Sequence, residues 1–414
     1  MVEFTSDSGT PIKLWVAHLG EVESQSLAQL NEMGKLPFVH PHIAVMPDVH
    51  LGKGAVIGSV VPAKGAVVPN IVGVDIGCGI SAYDTGIRQE VLEERIRELG
   101  MTPETFWKGW EAGTRRDVPT GFNSHKRRKD WDGFDVRLRG KGLQQYLEEK
   151  ARYQLGTLGG GNHFIEAQID ERGHLWFMVH SGSRHTGLQI ANHYNEQAER
   201  LLNRTKTKFP PNLAYLPADD PLFEDYLHDM DWAVRFALEN RWRMLERAVA
   251  NLLVLFDPKD VPADAEIRRR VRESGINIHH NFARRERHYG ESVIVHRKGA
   301  TSARADEIGI IPGSMGSHSY IVRGKGNPES FTSCSHGAGR VMSRRQARKT
   351  IQQNEYEKAL AGTFTRASRA YVDEAPQTYK DVDAVLRRQE DLVEVVHVLR
   401  PIITVKGDSR AAID

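Results

Sequence analysis

Short apolar runs separated by polar, glycine-rich loops extend through most of the chain. Runs of this kind, rich in Val and Ile and bounded by Gly, Pro, Asn or Asp, are typical of buried β-strands. The pattern predicts strands over Ile12–Val16, His42–Met46, Ala55–Pro62, Gly65–Pro69, Ile71–Val74 and Leu175–Val179, and another that begins at Ile308 and ends in a Gly/Ser loop.

Other segments have the apolar spacing of helices. Residues Gln89–Leu99 place Val91, Leu92, Ile96 and Leu99 on one side of an amphipathic helix. Further helices are predicted over Gln25–Met33, Leu188–Thr205 and Pro221–Phe256, and from Ser343, whose hydroxyl suits an N-cap. Strands and helices that alternate in this irregular way predict an α+β fold with mixed sheets.

The loops that carry candidate functional groups are spread from residue 48 to residue 406, and no repeat or long linker divides the chain. We therefore expect one α+β domain over residues 1–407 around a central cleft, followed by a disordered tail over 408–414. The stretch 103–150 is polar and is expected to be irregular. The stretch 257–275 is expected to be a charged connector.

The charge balance argues against a chain that is basic throughout. The 414 residues carry a net charge of +2, so that any contact with nucleic acid must come from local basic patches. One such patch is the run His125-Lys126-Arg127-Arg128-Lys129. A solvated loop is the commoner role of such a run, and phosphate contact is the alternative.

Cysteine content and hydropathy bear on the compartment. The two cysteines, Cys78 and Cys334, cannot build a disulfide framework, and no basic-then-apolar signal peptide opens the chain. No apolar run reaches the roughly 18 residues of a membrane span. We expect a cytoplasmic protein without a membrane partner.

The candidate chemistry centres on Gly73–Ile80, where Asp75 and Cys78 lie three residues apart in a glycine-rich turn. Glycines allow such a turn to bend sharply and to approach a ligand. A carboxylate and a thiolate at one point suggest a metal, although a lone Cys beside a strand is more often a small buried hydrophobe.

Several histidine-bearing loops favour the metal interpretation. His163 follows three successive glycines, His180 ends an apolar strand, and His280 precedes Asn281. The candidate ligands are therefore Asp75, Cys78, His163, His180 and His280. By ligand softness, such a set suggests zinc or iron first.

His336 is a candidate nucleophile because small residues flank its imidazole and leave it accessible, although a structural His is the commoner alternative. The chain has no Walker-type phosphate loop and no strand–GxGxxG–helix fingerprint. Backbone nests in Pro312–Gly316 and Gly337–Gly339 could still hold phosphate, with added charge from Lys406 and Arg340.

Seven motifs in one order resemble the RtcB family of RNA-splicing ligases. They are Val45–His50, Gly73–Gly79, Gly161–Glu166, His180–Arg184, His280-Asn281, Pro312–Gly316 and Ser335–Arg340, and Val405-Lys406-Gly407 resembles the end of the family core. The resemblance extends from about residue 10 to residue 407. It implies a GTP- and manganese-dependent ligase that joins an RNA 2′,3′-cyclic phosphate or 3′-phosphate end to a 5′-hydroxyl end.

The resemblance also implies roles for single residues. His336 would accept GMP as a phosphoramidate. Asp75, Cys78 and His163 would hold one Mn²⁺ and Cys78, His180 and His280 a second, which departs from the softness argument. Asp48, Arg184, Arg340 and Arg344 would act near the RNA ends. GTP would contact Asn162, His163, Phe164, Ile165, Glu166, His280, Asn281, Pro312, Gly313, Ser314, Met315, Ser319, His336, Gly337, Ala338, Gly339, Tyr379 and Lys406.

Two histidines depart from the simple motif or compete with it. His185 follows Arg184, where the family commonly has a smaller or apolar residue, and His279 stands next to the candidate ligand His280.

Alternatives at this level are a relative that guanylylates 3′-phosphate ends without efficient joining, and a non-catalytic RNA-binding or metal-sensing protein. We expect a monomer, and an archease activator is an open question.

Overall fold

The computed structural model describes residues 1–407 as a mixture of helices and mainly antiparallel sheets. The predicted α+β class is therefore confirmed. The predicted disordered tail, 408–414, lies outside the described residues. Within residues 1–407, none of the helices combines the length and the apolar character needed to cross a membrane.

The strands in chain order are β1 (Val2–Thr5), β2 (Pro11–Leu14), β3 (Ile43–His50), β4 (Ile57–Ala63), β5 (Ala66–Val67), β6 (Gly79–Arg88), β7 (Phe164–Asp170), β8 (His174–Ser181), β9 (Leu216–Pro217), β10 (Ile276–His279), β11 (Asn281–His288), β12 (Glu291–Lys298), β13 (Ala300–Ser302), β14 (Ile308–Ile311), β15 (Ser319–Gly324), β16 (Ser333–Ser335) and β17 (Val393–Lys406).

The helices are α1 (Ser24–Gly34), α2 (Pro69–Val72), α3 (Gln89–Glu98), α4 (Pro103–Asp117), α5 (Leu143–Tyr146), α6 (Arg152–Gln154), α7 (Arg184–Arg204), α8 (Pro221–Phe256), α9 (Asp264–Ser274), α10 (Arg344–Thr350), α11 (Gln353–Ala359) and α12 (Val382–Arg387). A π-helical turn over Leu147–Ala151 joins α5 to α6.

Two large sheets supply most of the scaffold. One has the order β10-β6-β8-β7-β17-β15-β14, with antiparallel neighbours throughout. The other has the order β1-β2-β3-β4-β12-β11 and is antiparallel except for the parallel pair β2–β3. The chain leaves the first sheet at the end of β10 and enters the second at the start of β11, so that only His280 separates the two sheets.

Helices α4 and α8 cover one face of the seven-stranded sheet. α8 has 36 residues and is therefore about 54 Å long. Trp110 of α4 is fully buried, stacks on Phe177 of β8 with ring centroids 5.2 Å apart, and donates its indole N–H to the carbonyl of Ala248 in α8. This one side chain thus joins both helices to the sheet.

The structure corrects several predictions of local structure. Ile71–Val74 is not a strand: Pro69 occupies the first turn of α2, and the chain then turns at Gly73. Proline suits this position because it has no N–H to leave unpaired. The stretch 103–150 is not irregular throughout, since it contains α4 and α5, and 257–275 contains α9.

Other predicted elements are confirmed with shifted ends. α8 has the predicted bounds, whereas α7 begins at Arg184 rather than at Leu188. Ser343 caps α10, accepting the backbone N–H of Gln346. β4 begins at Ile57, and β3 continues to His50.

The position of Trp110 predicts a large effect on stability. Replacement of Trp110 by Ala removes the stacked ring and the hydrogen bond to Ala248, and should lower the free energy of unfolding by about 3–5 kcal/mol. The same truncation at Val254, which is 50% exposed on α8, should change it by less than about 0.5 kcal/mol. Urea unfolding followed by circular dichroism compares the two. Equal midpoints would contradict the proposed contribution of Trp110.

Candidate metal and nucleotide site

Four strand ends meet at one edge of the seven-stranded sheet. Because the strands are antiparallel, the starts of β6 and β7 lie beside the ends of β8 and β10. The register pairs His180 of β8 with both Ile80 and Phe164, and pairs Gly79 with His279. The residues just outside these strand ends therefore converge, and they include Cys78, His163 and His280.

The side chains at this edge form two groups that share one sulfur. Cys78 Sγ lies 3.4 Å from His163 Nε2 and 3.3 Å from His180 Nε2, and Asp75 Oδ2 lies 3.0 Å from His163 Nε2. Asp75, Cys78 and His163 each place a potential ligand atom within 4.8 Å of the others, and so do Cys78, His180 and His280. The structure thus brings all five predicted metal ligands together, with Cys78 common to both groups.

The protonation of these groups suits metal binding. His180 donates its Nδ1–H to the carbonyl of Asn162 at 3.1 Å, which leaves the Nε2 lone pair facing the sulfur of Cys78. Burial and the neighbouring imidazoles lower the pKa values of His180 and His280 well below the ordinary range, so both rings are neutral. Nδ1 of His280 is buried and has no hydrogen-bond partner within residues 1–407.

The thiol of Cys78 needs a cation to ionise. Burial, followed by the negative charge of Asp75, raises its pKa well above the ordinary value. A bound metal reverses this balance, because a coordinating thiol loses its proton. Neutral imidazoles, a carboxylate and a buried sulfur at one point therefore fit a divalent metal centre.

The turn that carries Asp75 and Cys78 is held on both sides. Gly77 has φ of +72°, and a Cβ there would lie 2.8 Å from the Cα of Val234 in α8. The N–H of Gly77 donates to the carbonyl of Asn281 at 2.7 Å, and the N–H of His280 donates to the carbonyl of Cys78 at 2.8 Å. The close packing against α8 therefore requires glycine at position 77.

Sequence reasoning missed a buried arginine beneath the cluster. Arg241 of α8 is fully buried; its Nη1 donates to the carbonyls of Gly77 at 2.8 Å and Ser181 at 2.9 Å, and its Nε donates to Asn277 Oδ1 at 2.7 Å. It thus ties together the strand ends of β6, β8 and β10. Its positive charge also lies close enough to Cys78 and Asp75 to interact with both.

The preceding residue, Asn240, holds the loop before His163. Its Oδ1 accepts the N–H groups of Gly156 at 2.6 Å and Thr157 at 3.0 Å, and its Nδ2 donates to the carbonyl of Gly182 at 3.1 Å. The signal in the sequence that could have revealed this pair is its helical spacing from Ala233, Ala237, Met244 and Ala248, which places two polar residues on the apolar face of α8.

His336 lies beside the metal ligands. Its ring centroid is 4.7 Å from that of His280, and its Nδ1 lies 2.6 Å from Oδ2 of the fully buried Asp48. Asp48 Oδ2 also accepts the backbone N–H of His336 at 3.2 Å. A hydrogen bond at Nδ1 makes Nε2 the free lone pair of the imidazole. Asp48, predicted to act near RNA ends, contacts His336 through its side chain.

Glu166 and Lys406 lie near one another at the end of β17. Glu166 Oε1 accepts from Gln168 at 2.6 Å and Oε2 accepts from Thr404 at 2.5 Å. Burial raises the pKa of Glu166 to about 7, against these hydrogen bonds and the charge of Lys406. An open cavity of about 370 Å³ lies beside this pair, with walls that include Lys406, Thr404 and Met315.

A buried glutamate that the sequence analysis did not single out holds several side chains together near the cavity. Glu374 is 1% exposed and contacts Arg340, Arg344, Tyr379 and Lys406 through its carboxylate. Burial alone would raise its pKa, but the charges of Lys406, Arg344 and Arg340 lower it to about 2. Arg340 and Tyr379 are thus brought beside Lys406.

The two Gly/Ser loops lie against each other. A Cβ on Gly337 would be 3.4 Å from the carbonyl oxygen of Pro312. Within the first loop, the N–H of Gly313 donates to Ser319 Oγ at 3.1 Å and the N–H of Ser314 donates to Ser317 Oγ at 2.6 Å. The predicted nests are therefore neighbours, although these two N–H groups already have partners.

Three of the predicted contact residues have buried side chains. Ile165 is fully buried in the core between the seven-stranded sheet and α8, and Phe164 and Ala338 are 8% and 5% exposed. Ile165 can therefore offer a ligand only its backbone.

Arg184 stands at the start of α7 with φ of +57°, a conformation that L residues rarely adopt. Its Nη2 donates to the carbonyl of Gly121 at 2.6 Å and its Nε to Thr157 Oγ1 at 3.1 Å. A Cβ on Gly159 would lie 2.5 Å from Arg184 Nη1 and 2.2 Å from His163 Nδ1. Arg184 and His163 therefore lie side by side over Gly159.

The two additional histidines stay outside the ligand groups. The ring of His279 packs edge-on against Phe282, with centroids 4.8 Å apart. His185 Nε2 lies 3.0 Å from Gln189 Nε2, and its ring contacts Tyr146. Neither joins the two metal-capable groups around Cys78 that residues 1–407 contain.

Comparison with known proteins gives concordant results. The family model described as "tRNA-splicing ligase RtcB" matches residues 29–407. The RNA-splicing ligase RtcB of Escherichia coli K12 is 42% identical, over 98% of this chain and 99% of that protein. The RNA-splicing ligase RtcB of Mycobacterium tuberculosis is 31% identical over 92% of this chain and 100% of that protein. The tRNA-splicing ligase RtcB of Aeropyrum pernix is 29% identical over 93% and 92%.

The shared sulfur predicts an unequal effect of two matched substitutions. Cys78→Ser should abolish the binding of a divalent metal at both ligand groups, because the serine hydroxyl is far harder to ionise than the thiol and is a poor shared ligand. Cys334→Ser makes the same atomic change in the other buried cysteine and should keep the metal content of the wild-type protein. Equilibrium dialysis followed by metal analysis counts the bound ions. Full occupancy in folded Cys78→Ser protein would refute the shared-ligand arrangement.

Proposed function

The chain belongs to the RtcB family, and from this membership we propose that it is an RNA ligase that joins 2′,3′-cyclic phosphate or 3′-phosphate ends to 5′-hydroxyl ends, with GTP as the activating nucleotide. The observation that carries the proposal is the position of His336 beside the ligand groups around Cys78, with its Nδ1 held by buried Asp48. A protein that only binds RNA needs no oriented nucleophile of this kind.

His336 acts as the nucleophile in the first half of the reaction. Its Nε2 attacks the α-phosphorus of GTP, so that a P–N bond forms while the bond to pyrophosphate breaks. Asp48 holds the imidazole in the tautomer with a free Nε2 and stabilises the positive charge that the ring gains. Because Asp48 is fully buried, this interaction is little weakened by water.

The second half transfers the guanylate to RNA. The 3′-phosphate oxygen attacks the phosphorus held on His336, the P–N bond breaks, and the RNA end becomes a diphosphate-linked guanylate. The 5′-hydroxyl of the other strand then attacks the RNA phosphorus and GMP leaves. Arg184, which lies beside His163, and Arg340, which lies beside Glu374 and Tyr379, would contact these phosphates.

Asp75, Cys78 and His163 would hold one Mn²⁺, and Cys78, His180 and His280 would hold the other. Such ions, when bound, neutralise phosphate charge and assist departure of the leaving group. Among the protein groups, Arg241 and Asn240 keep the ligand loops in place from beneath, and the carbonyl of Asn162 orients His180.

The nucleotide base would lie in the cavity beside Lys406. We assign guanine selection to the carboxylate of Glu166, which can accept the N1–H and exocyclic amino donors that adenine does not present together. Each Glu166 oxygen already accepts one hydrogen bond and keeps a second lone pair. Ser319 lies close to Glu166, because Gln168 donates hydrogen bonds both to Ser319 Oγ, at 3.1 Å, and to Glu166.

The function is tested with α-labelled GTP, Mn²⁺, and RNA strands bearing 3′-phosphate and 5′-hydroxyl ends. Wild-type protein should acquire acid-labile label and then join the strands. His336→Ala should do neither, yet it should slowly join a strand supplied already guanylylated at its 3′-phosphate, because sealing needs no histidine nucleophile.

The variant is first shown to bind Mn²⁺ as wild type does. Absence of joining of the activated strand by this variant, with wild type active on it, would show that His336 also serves the sealing step. Labelling without joining by wild type would favour a guanylylating enzyme that does not ligate.

The position and the raised pKa of Glu166 predict a preference for GTP over ATP and a pH dependence of the KM for GTP. GTP should be preferred to ATP by on the order of 10⁴-fold, since adenine has no N1–H to donate and turns its N1 lone pair toward a buried carboxylate. Because the pKa of Glu166 is raised to about 7, the group accepts hydrogen bonds above that pH and is protonated below it. The KM for GTP should therefore rise as the pH falls through 7.

The matched control for this prediction is a second carboxylate on the same sheet. Glu166→Gln should lose selectivity and flatten the pH profile, whereas Glu171→Gln, at an exposed position at the end of β7, should preserve both. Self-guanylylation rates measured from pH 5.5 to 8.5 decide the matter. A pH profile in Glu166→Gln that matches wild type would remove Glu166 from base recognition.

A further inference from the structure

The most exposed large apolar side chain within residues 1–407 lies close to the site. Phe122 is 78% exposed, and no other large hydrophobic residue in the described chain exceeds 60%. Single exposed apolar residues are ordinary. Phe122 differs because it stands between the catalytic cleft and the basic run Lys126-Arg127-Arg128-Lys129.

Phe122 is joined to the site through the contacts of its neighbour, Gly121. The N–H of the preceding residue, Gly121, donates to the carbonyl of Leu158 at 2.9 Å, and its carbonyl accepts from Arg184 at 2.6 Å. Arg184 in turn lies beside His163 over Gly159. Phe122 is therefore one peptide unit, about 3.8 Å between Cα atoms, from Gly121, whose carbonyl bonds to Arg184.

Backbone hydrogen bonds hold the basic run in place, while most of its cationic side chains extend into solvent. The N–H of His125 donates to the carbonyl of Tyr153, and the N–H of Lys129 donates to the carbonyl of Arg152, both at 2.9 Å. Lys126, Arg127 and Arg128 are exposed, and among residues 1–407 no salt bridge engages any of the three. Only Arg128 has a side-chain contact, 3.4 Å from the hydroxyl of Tyr153.

A flat exposed ring followed by unpaired cations on a fixed backbone matches the way proteins hold single-stranded nucleic acid. Bases stack on aromatic rings without regard to sequence, and Lys and Arg contact the phosphates. A protein partner is less well matched, because one ring with several like charges offers no apolar area that a stable interface needs.

We propose that Phe122, Lys126 and Arg127 form a binding site for the single-stranded RNA that flanks the end being joined, with a base stacked on Phe122 and the following phosphates against the two cations. The inference rests on the proposed ligase function and extends it outward from the cleft. The site would fix the direction in which one strand leaves the reacting phosphate, and it would be indifferent to base identity.

The test compares full-length variants with wild type for binding of a fluorescently labelled, single-stranded RNA with a 3′-phosphate, followed by anisotropy. Phe122→Ala and Phe122→Leu should weaken binding about tenfold, whereas Phe122→Trp should keep it, because stacking requires a ring and not merely an apolar side chain. Substitution at so exposed a position should leave the melting temperature unchanged.

The charges are tested by the double variant Lys126→Ala/Arg127→Ala. Loss of two phosphate contacts should weaken binding and lower the slope of log K against log salt by about 1.4. The matched control is Lys206→Ala/Lys208→Ala. These exposed lysines follow the far end of α7, whose 21 residues begin at Arg184, so they lie about 30 Å from the cleft and should leave both quantities unchanged.

Self-guanylylation separates this inference from the proposed function. Every variant named here should label with GTP at the wild-type rate, because none touches the nucleotide or metal groups. If wild type neither labels nor joins, the proposed function fails. If wild type is active and the Phe122 and Lys126/Arg127 variants bind RNA as it does, the RNA site is wrong, and the exposed ring would be assigned to a protein partner instead. Equal losses in Phe122→Leu and Phe122→Trp would also overturn stacking.

Discussion

The cleft depends on one constraint: the Asp75–Cys78 turn must be held in a single position between the seven-stranded sheet, the six-stranded sheet and α8. Its backbone groups bond to both His280 and Asn281, and its glycine packs on the Cα of Val234. Since His280 is the one residue between β10 and β11, a shift of either sheet would move the turn. The sulfur of Cys78 can therefore face imidazoles from three separate strand ends.

Electrostatics in this region follow from burial. The imidazoles of His180 and His280 are neutral because burial lowers their pKa values, and they can offer lone pairs rather than repel a cation. Arg241 places one positive charge beneath Cys78 and Asp75, and its Nη1 donates to the backbone carbonyls of Gly77 and Ser181. A single buried side chain thus supports the position of the ligands and offsets part of their charge.

The wall that carries Lys406 and Arg340 is built around a buried anion. Glu374 gathers Arg340, Arg344, Tyr379 and Lys406 around one carboxylate, so that the cations border the cavity in a fixed arrangement. Removing one partner of such a buried network leaves the others unpaired, which costs several kcal/mol. Burial lowers the pKa of Lys406, and the charge of the same carboxylate acts in the opposite direction and raises it.

The sequence by itself determined the α+β class, the long helix α8 and fewer than half of the strands in residues 1–407, because apolar runs and helical periodicity act over a few neighbouring residues. The sequence also indicated the candidate site residues at strand ends, because glycines and polar side chains in such loops contribute little to a hydrophobic core. It misjudged Ile71–Val74 because Pro69 starts a helix, and it passed over α4, although Trp107 and Trp110 are spaced as one helix face.

Only the tertiary structure decided that Asp48 bonds to His336, that Asn240 and Arg241 hold the ligand loops, and that Phe122 lies beside the cleft. These contacts join residues that are far apart in the chain, and their partners are fixed by sheet register and helix packing rather than by local pattern.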